Sequence, residues 1–535
     1  MLLISFVMDV GAKDYFFHPQ SGDDNANGLS ANTAFKSLSK IQDLNLKPGD
    51  RILLASGEVF RETVNLNDIH GSLDLPIILE SYYHGASNQV KMAKIDAIGL
   101  LNGILIKNSS NILVRNLEIT ANGPTDKTES GDMRVGVLLH GNGGEIIQNI
   151  HLDSLYIHDV FYENKGVSRS AEEVKSANGT QKYGWGVRLI VDGNAEIENV
   201  WIRNSTIENV SHTGVKLTGT QLQNIRNIYI LNNKVERTGG PGIQMSGVKF
   251  VHVKGNEVSY SGSEDDSRKW GRGSGLWTWS ASHVMIEHNS FMHANGPGDS
   301  AGAHIDFNCD NVILQYNFSA HNAGGFCEIL GNNYNCAYRY NISVNDGYRV
   351  KGEKGAFQEG KIFWLSGYQG NQKPRKGPVN SYFYNNTIYV KADQVSKLAI
   401  DNRSKGILIA NNIFHLEGPV ETVAGDQYKP DDGSVNEGLE RVFFENNLYL
   451  FQSNWPANSI IQDSKPLYGN AGFKNPGGVR PEDYIPTNNN LVRKGIKIPP
   501  LRDDEFGLLN GLNMPYDFFG NSIGPNPIMG AIKAK

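Results

Sequence analysis

The sequence predicts an all-β fold, a parallel β-helix, and three observations favour it. A nine-residue unit recurs along the middle of the chain, its residues alternate with a period of two, and glycine is enriched. Glycine accounts for 59 of 535 residues, about 11% where 7% is usual. Hydrophobic residues make up 39% and charged residues 20%, which is lean for a chain of amphipathic helices. A solenoid of short strands explains all three, because every coil needs tight turns.

The repeated unit is a short strand rich in β-branched and aromatic residues, followed by a polar turn and a second apolar position. Its alternation has the period of a strand and not the 3.6 residues of a helix. The copies are NILVRNLEI from Asn111, NIHLDSLYI from Asn149, NVWIRNSTI from Asn199, NIYILNNKV from Asn227, FVHVKGNEV from Phe250, HVMIEHNSF from His283, NVILQYNFS from Asn311, NCAYRYNIS from Asn335, NSYFYNNTI from Asn380, GILIANNIF from Gly406 and RVFFENNLY from Arg441.

The seventh position of the unit is asparagine in eight copies. Their spacing runs from 23 residues (Asn233 to Asn256) to 45 residues (Asn341 to Asn386), so the longer coils carry insertions. Asparagine tolerates left-handed backbone angles, and its amide can stack on the amides of neighbouring coils in a hydrogen-bonded ladder. The ladder is predicted to contain Asn233, Asn256, Asn289, Asn317, Asn341, Asn386, Asn412 and Asn447.

The repeat divides the chain into four segments. Residues 1–12 end in Val-Gly-Ala and are predicted to be the remnant of a secretory signal, with a disordered or wrongly assigned start as the alternative. Residues 13–92 are predicted to form an N-terminal cap and first coils, with a helix from Ala34 to Leu44 and a first strand from Asp50 to Ala55. Residues 93–450 form the β-helix, and residues 451–535, rich in Pro, Asn and Gly, form an irregular C-terminal cap and tail.

Charge and hydropathy indicate which classes of binding partner the sequence disfavours. Lysine and arginine total 50 against 56 aspartates and glutamates, a net charge of −6, so the sequence predicts no nucleic-acid partner. After the first twelve residues there is no apolar run of the roughly 18 residues that a membrane-spanning helix needs, which predicts no membrane insertion. With the predicted signal, this indicates a periplasmic or secreted protein. A homo-oligomer is left open.

A second strand, opening with glycine, precedes each ladder strand. If its first and third positions after the glycine point inward, the second and fourth point outward. The second positions are Leu138, Arg188, Lys216, Gln244, Trp277, His304 and Phe326. The fourth positions are His140, Ile190, Thr218, Ser246, Trp279, Asp306 and Glu328.

These outward columns predict a sugar-binding strip. Aromatic faces beside charged and hydrogen-bonding groups are how proteins hold sugar rings. The predicted substrate-binding residues are His304, Trp277, Trp279, Lys216, Arg188, His140 and Gln244. The alternatives are packing under a neighbouring loop for the tryptophans, and a charge partner such as Asp192 for the two cations.

Asp306 and Glu328 are the candidate catalytic residues. They are 22 residues apart, like Gly302 and Gly324, which predicts the same position on adjacent coils and backbones about 4.8 Å apart. Two carboxyls about 5 to 5.5 Å apart are typical of a retaining glycosidase. A calcium site and a solvent-exposed pair are the alternatives. If the register is off by a turn, Asp299 or Asp310 replaces one member.

The opening DYFFHPQSGDDNANGLSANTAFKSL and the repeats resemble the right-handed parallel β-helix carbohydrate-active enzymes of bacteria. The segments AGAHIDFN and GGFCEILGNN are similar to the β-helix β-xylosidases of glycoside hydrolase family 120. That resemblance implies that Asp306 is the nucleophile and Glu328 the general acid/base. The catalytic match covers about 30 residues, and the sequence after Glu328 departs from the family pattern.

The predicted function is therefore a retaining, exo-acting glycoside hydrolase on a plant or algal oligosaccharide or polysaccharide. The first alternative is a polysaccharide lyase that uses Lys216 as base and Arg188 to neutralise a uronate. The second is a β-helix that binds glycans without cleaving them. No cofactor is required for the hydrolase, and a structural calcium ion is left open.

Overall fold

A computed structural model describes residues 11–84, 91–124, 133–161, 184–262, 272–370, 372–423, 441–455 and 462–534. The predicted signal remnant therefore lies almost wholly outside the described residues. The described part contains three long sheets, and every strand pair within them is parallel. Neighbouring strands in each sheet come from successive coils, which confirms the predicted parallel β-helix.

The first sheet carries the repeated strands and has 14 strands within the described residues. They are Asp14–Phe17, Arg51–Ala55, Ile77–Tyr82, Ile112–Arg115, Ile146–Asp153, Glu196–Arg203, Ile225–Leu231, Val248–Lys254, Ser282–Glu287, Asp310–Gln315, Ala337–Arg339, Val379–Tyr384, Lys405–Ala410 and Val442–Glu445.

The second sheet carries the strands that open with glycine and has 12 strands in the described part. They are Val64–Asn67, Asn102–Lys107, Arg134–Gly141, Gly184–Val191, Val215–Thr218, Ile243–Ser246, Leu276–Trp279, Ala303–Ile305, Gly325–Ile329, Lys361–Leu365, Ser396–Ile400 and Val420–Thr422.

The third sheet follows the asparagine turn and has 14 described strands. They are Val59–Phe60, Ala93–Asp96, Leu117–Ala121, Tyr156–Val160, Thr206–Val210, Lys234–Thr238, Glu257–Ser259, Ser290–Met292, Phe318–Ala320, Ile342–Val344, Thr387–Val390, Ile413–Leu416, Leu448–Tyr449 and Leu467–Tyr468.

The core is a set of aliphatic stacks inside the coils. Along the first sheet, for example, Ile112 pairs with Ile150 and Val114 with Leu152, and all four side chains are fully buried. Alternate residues of the same strands point outward and are half-exposed, which is the period of two seen in the sequence. No coil buries its apolar face alone, so the stacking of coils supplies the hydrophobic stabilisation.

The asparagine ladder is confirmed. From Asn233 to Asn447, each side-chain amide donates to the side-chain oxygen of the next asparagine at 2.9 to 3.0 Å. Asn447 ends the series by donating to the carboxylate of Asp463 at 2.7 Å. The left-handed residue is the one just before each ladder asparagine, such as Asn232 or Tyr316, and not the asparagine itself. The left-handed position therefore lies one residue before the predicted one.

The N-terminal cap is less helical than predicted. In place of a helix from Ala34 to Leu44, the structure has the 3-10 helices Ala31–Thr33 and Leu38–Asp43, followed by the strand Arg51–Ala55. Leu38 and Ile41 are buried against the first coil and close its apolar end.

The C-terminal segment packs along the side of the solenoid. It contains the 3-10 helices Gln452–Asn454 and Pro481–Tyr484 and the single-turn α-helix Asn489–Val492. Beyond residue 470 it covers the outer faces of the first and third sheets with apolar side chains such as Ile528 and Met529. The backbone oxygen of Ile528 accepts a hydrogen bond from Asn385 at 2.6 Å.

Candidate active site

The second sheet places the predicted outward column in one line. Register partners run from Arg188 to Lys216, to Gln244, to Trp277 and to His304. The line then differs from the prediction at the next coil. Ile305 pairs with Ile329, so Glu328 lies opposite His304, while Asp306 lies opposite Leu330. Trp364 continues the column beyond Glu328.

The register offset between these two coils is thus 24 residues, whereas Asp306 and Glu328 are 22 residues apart. The prediction aligned the strands on their glycines, whereas the ladder spacing of Asn317 to Asn341 already gave 24. Phe326, predicted to point outward, is instead buried in the core. The two carboxyl residues remain on adjacent coils of the same face, but a two-residue stagger puts their Cα atoms about 8 Å apart. The Cα spacing alone therefore does not distinguish a retaining from an inverting mechanism, because the separation that decides it is the one between the carboxyl groups.

Glu328 is buried at 6% exposure, and its carboxyl group makes no hydrogen bond within the described residues. Burial raises its pKa well above the ordinary value, Asp299 and Asp306 raise it further, and Lys361 opposes them. The ammonium of Lys361 lies over the Trp364 ring at 3.5 Å. A buried carboxyl with a raised pKa and no hydrogen-bond partner is typical of a general acid.

Asp306 follows the strand Ala303–Ile305 and is partly exposed. One carboxylate oxygen accepts a hydrogen bond from the backbone N–H of Phe307 at 2.8 Å. Burial, and then the charge of Asp299, raise the pKa of Asp306 to about 7. Asp306 is therefore ionised in part at neutral pH and has a free oxygen among the described residues.

Asp299 is a third carboxylate of this site, and it is held as an anion. Its carboxylate pairs with Arg272 at 2.9 Å and accepts a hydrogen bond from Gln358 at 3.2 Å. Burial alone would raise its pKa, but the Arg272 charge and these bonds bring the pKa below the ordinary value. The alternative that named Asp299 is thus consistent with the structure. Asp310 instead lies in the first sheet and bonds Ser282 at 2.7 Å.

His304 is a buried member of the outward column and lies opposite Glu328. Burial lowers its pKa to about 4, so the ring is neutral at physiological pH. Its Nδ1 is 3.4 Å from the hydroxyl of Ser274, and its ring meets the Trp277 ring edge-on at 5.5 Å. The Asp299 carboxylate opposes this lowering of the His304 pKa, so the two residues belong to one electrostatic site.

The two predicted tryptophans have different surroundings. Trp277 is 7% exposed and packs with Leu138 and Trp185, which favours the packing interpretation. Trp279 is 39% exposed and meets the ring of Phe307 edge-on at 5.6 Å. Phe307 in turn meets Tyr368 at 5.5 Å. Trp279 therefore offers the accessible aromatic face beside Asp306.

The remaining predicted substrate-binding residues lie further along the column. His140 bonds Asp192 at 2.7 Å, so Asp192 is the partner of His140 and the interpretation that paired it with the cations is wrong. Arg188 lies over the ring of Trp185 at 4.4 Å. Gln244 is buried, with its amide oxygen 3.5 Å from the Thr213 hydroxyl. Lys216 is buried beside Arg188.

Sequence reasoning did not single out Arg272, Lys361 or Trp364. Arg272 and Lys361 belong to the long coils between Asn256 and Asn289 and between Asn341 and Asn386, where the spacing of the repeat does not fix the position of a side chain. The cavity of about 530 Å³ lined by His321, Tyr348 and Lys391 lies apart from the three carboxyls.

Among the described residues, no group of three or more His, Cys, Asp or Glu side chains is placed to hold a metal ion. Nor does that part of the chain contain a helix long and apolar enough to cross a membrane.

Comparison with known proteins agrees with this architecture. The protein-family model for the right-handed beta helix region matches residues 185–388. A lacto-N-biosidase from Bifidobacterium longum subsp. longum is 26% identical over an alignment that covers 97% of this chain and 36% of the relative. The chain thus spans little more than a third of the length of that curated relative.

Two crystal structures of GH136 lacto-N-biosidase from Eubacterium ramulus share the fold. The native structure is 20% identical with a TM-score of 0.54, and the match covers 85% of this chain and 68% of that one. The selenomethionine derivative is 21% identical with a TM-score of 0.53, covering 77% and 67%. The narrower resemblance to glycoside hydrolase family 120 is not confirmed by these matches. The chain is a right-handed parallel β-helix whose sequence is similar, over nearly its whole length, to a lacto-N-biosidase.

Proposed function

We propose that the protein is a glycoside hydrolase. The observation that carries the proposal is the pair of carboxyls with raised pKa, Asp306 and Glu328, on adjacent coils beside the exposed face of Trp279. Hydrolysis of a glycosidic bond requires one group that donates a proton and a second that attacks or activates water. The similarity to a lacto-N-biosidase supports the same reaction class.

We assign the nucleophile to Asp306 and the general acid/base to Glu328. In the first step an Asp306 oxygen bonds to the anomeric carbon, the glycosidic C–O bond breaks, and Glu328 gives its proton to the leaving oxygen. In the second step Glu328 takes a proton from water, the water oxygen bonds to the anomeric carbon, and Asp306 leaves. The result is retention of configuration. Asp299 stays ionised with Arg272 and tunes the pKa of both groups.

The assignment predicts an acidic limb in the pH profile. Asp306 must be ionised to attack, and its pKa is raised to about 7. We expect kcat/KM to rise roughly tenfold per pH unit up to about pH 7 as Asp306 ionises, and to fall again at the higher pH where Glu328 loses its proton. Initial rates between pH 5 and pH 9 measure this. A profile that is already flat from pH 5 would contradict the role of Asp306.

A glycan panel with chromatographic product analysis tests the reaction class. The panel contains a lacto-N-bioside together with neutral and acidic plant and algal oligosaccharides, and NMR of the first product reports the anomer. Release of the terminal unit with retained configuration supports the retaining, exo-acting hydrolase. An ultraviolet-absorbing unsaturated product supports a lyase, which the buried Lys216 beside Arg188 favours as the second candidate. Binding without any product supports a glycan-binding protein.

We further propose that the reaction needs no cofactor, because the carboxyls and water supply every proton and bond. We expect dialysis against EDTA to leave kcat unchanged, and Tm to move only if a structural calcium ion is present. A loss of kcat that calcium restores would contradict this. A glycan substrate also fits a periplasmic or secreted location, which fractionation of the source cells tests.

A further inference from the structure

Two cations lie side by side on the outer face of the second sheet. Arg188 and Lys216 are register partners on adjacent strands, and they are only 8% and 5% exposed. Burying a charge away from water is costly unless an opposite charge or hydrogen bonds compensate. Two like charges on neighbouring strands add repulsion, and such pairs are destabilising. The protein nevertheless keeps both.

Within the described residues these cations have no carboxylate partner. The Nε and Nη1 atoms of Arg188 are buried and make no hydrogen bond. Lys216 makes no hydrogen bond or ion pair, and burial, together with the Arg188 charge, lowers its pKa to about 7, so that a bound anion would stabilise its protonated form. Asp192, which follows the strand four residues after Arg188, is bonded to His140 at 2.7 Å.

Two neighbouring side chains have polar groups that can donate to a ligand. The hydroxyl of Thr218, two residues after Lys216 on the same strand, is buried without a hydrogen-bond partner. The same holds for the indole N–H of Trp185, whose ring carries the Arg188 guanidinium at 4.4 Å. A buried patch that holds several unused donors and two positive charges is complementary to an anion.

We propose that Arg188 and Lys216 form a subsite for an anionic group, a carboxylate or a sulfate, carried by the sugar chain that the protein binds. This inference rests on the proposed function in placing the anion on a glycan. Lys216 is three strands before Ala303–Ile305 in the second sheet, about 14 Å along the solenoid. The subsite therefore recognises a charged unit away from the bond to be cleaved, and it makes and breaks no covalent bond.

Monosaccharide probes test the subsite independently of catalysis, since they contain no glycosidic bond to cleave. Calorimetric titrations compare glucuronate, glucose 6-sulfate and neutral glucose on the whole protein. We expect at least one acidic sugar to bind tenfold or more tightly than glucose. Arg188→Gln and Lys216→Met should each remove that preference, and Lys216→Arg should keep it. Lys405→Met, which removes an exposed lysine on the first sheet, should bind like the wild type.

Thermal unfolding checks that the variants fold. Because Lys216→Met removes an uncompensated buried charge, its Tm should not fall below that of the wild type. Preference for glucuronate alone identifies a carboxylated sugar, and preference for glucose 6-sulfate alone identifies a sulfated one. Equal binding of all three sugars would overturn the subsite, as would acid binding that survives in both Arg188→Gln and Lys216→Met. An unsaturated product from an acidic glycan that disappears with Lys216→Met would overturn it in favour of a catalytic base.

Discussion

Asp306→Asn should lower kcat/KM for a cleavable glycoside by roughly 10³-fold or more, because the amide cannot attack the anomeric carbon. Glu328→Gln should lower it by roughly 10² to 10⁴-fold, the usual contribution of a general acid. An aryl glycoside whose leaving group needs no proton should lose less in Glu328→Gln than a natural glycan does. Steady-state rates on both substrate types measure the two effects.

Azide separates the roles. With Glu328→Gln, azide should attack the glycosyl enzyme and give a glycosyl azide of retained configuration, whereas with Asp306→Gly it should give the inverted azide. Asp310→Asn is the matched control, because Asp310 is a partly exposed aspartate of the first sheet outside the site. It should keep the wild-type rate. Two fully active variants at Asp306 and Glu328 would contradict the assignment.

Asp299→Asn tests whether Glu328 or Asp299 is the acid/base that acts with Asp306. As an ionised group paired with Arg272, Asp299 should affect the rate mainly by changing the pKa of its neighbours, so its variant should shift the pH profile to lower pH. If Asp299→Asn abolishes turnover and is rescued by azide while Glu328→Gln stays active, Asp299 replaces Glu328 as the acid/base.

The unfolding of Asp306→Asn supplies an internal control. The native pKa of Asp306 is raised to about 7, above the ordinary value of 3.8 in the unfolded chain. Between these values the unfolded state loses its proton first, so stability falls as the pH rises toward 7. An asparagine at this position does not titrate, so the variant does not lose stability in this way as the pH rises. At pH 8 the Tm of Asp306→Asn should therefore equal or exceed that of the wild type, although its activity is lost.

Asn317→Ala should destabilise the fold by about 3 to 5 kcal/mol, because several buried groups lose their partners at once. Asn317 is fully buried and donates to Asn341 at 3.0 Å and to the backbone oxygen of Ile286 at 2.9 Å. Its oxygen accepts from the amide and the backbone N–H of Asn289, each at 3.0 Å. The midpoint of urea unfolding measures the loss.

Asn194→Ala is the matched control for the ladder. Asn194 is exposed in the turn between Gly184–Val191 and Glu196–Arg203, so its removal should change stability by less than about 0.5 kcal/mol. Equal midpoints for the two variants would show that the ladder contributes nothing specific. A broadened transition in Asn317→Ala would indicate that the solenoid unfolds in parts.

Side-chain positions could be predicted from the sequence where the repeat is regular, and not where the repeat is interrupted. The ladder from Asn233 to Asn447 was predictable because each coil must solve the same turn, and the outward column up to His304 followed from the same period. The stagger of Glu328 was missed because glycine occurs at several turn positions, whereas the asparagine occupies one. Glycine therefore marks turns without fixing their register.

The electrostatics of the site could not be predicted from the repeat. Arg272 and Lys361, whose charges act on Asp299 and Glu328, belong to coils lengthened by insertions, so the repeat does not fix their positions. The unpaired state of Arg188 and Lys216 is likewise a property of packing. Residue types predicted the strip, and only three-dimensional contacts show which charges are compensated.

The asparagine ladder also has a direction. In each ladder amide one side-chain N–H donates to the next coil in the chain, and the other donates to a backbone oxygen of the preceding coil. The amides share this orientation, so their dipoles add, and the column carries partial positive charge at Asn447. Asp463 places a full negative charge at that end. A carboxylate accepts hydrogen bonds and has no N–H to pass on, so no further amide can be stacked beyond it. The ladder thus ends at its C-terminal side in one acidic side chain, whose negative charge compensates the positive end of the aligned amide dipoles.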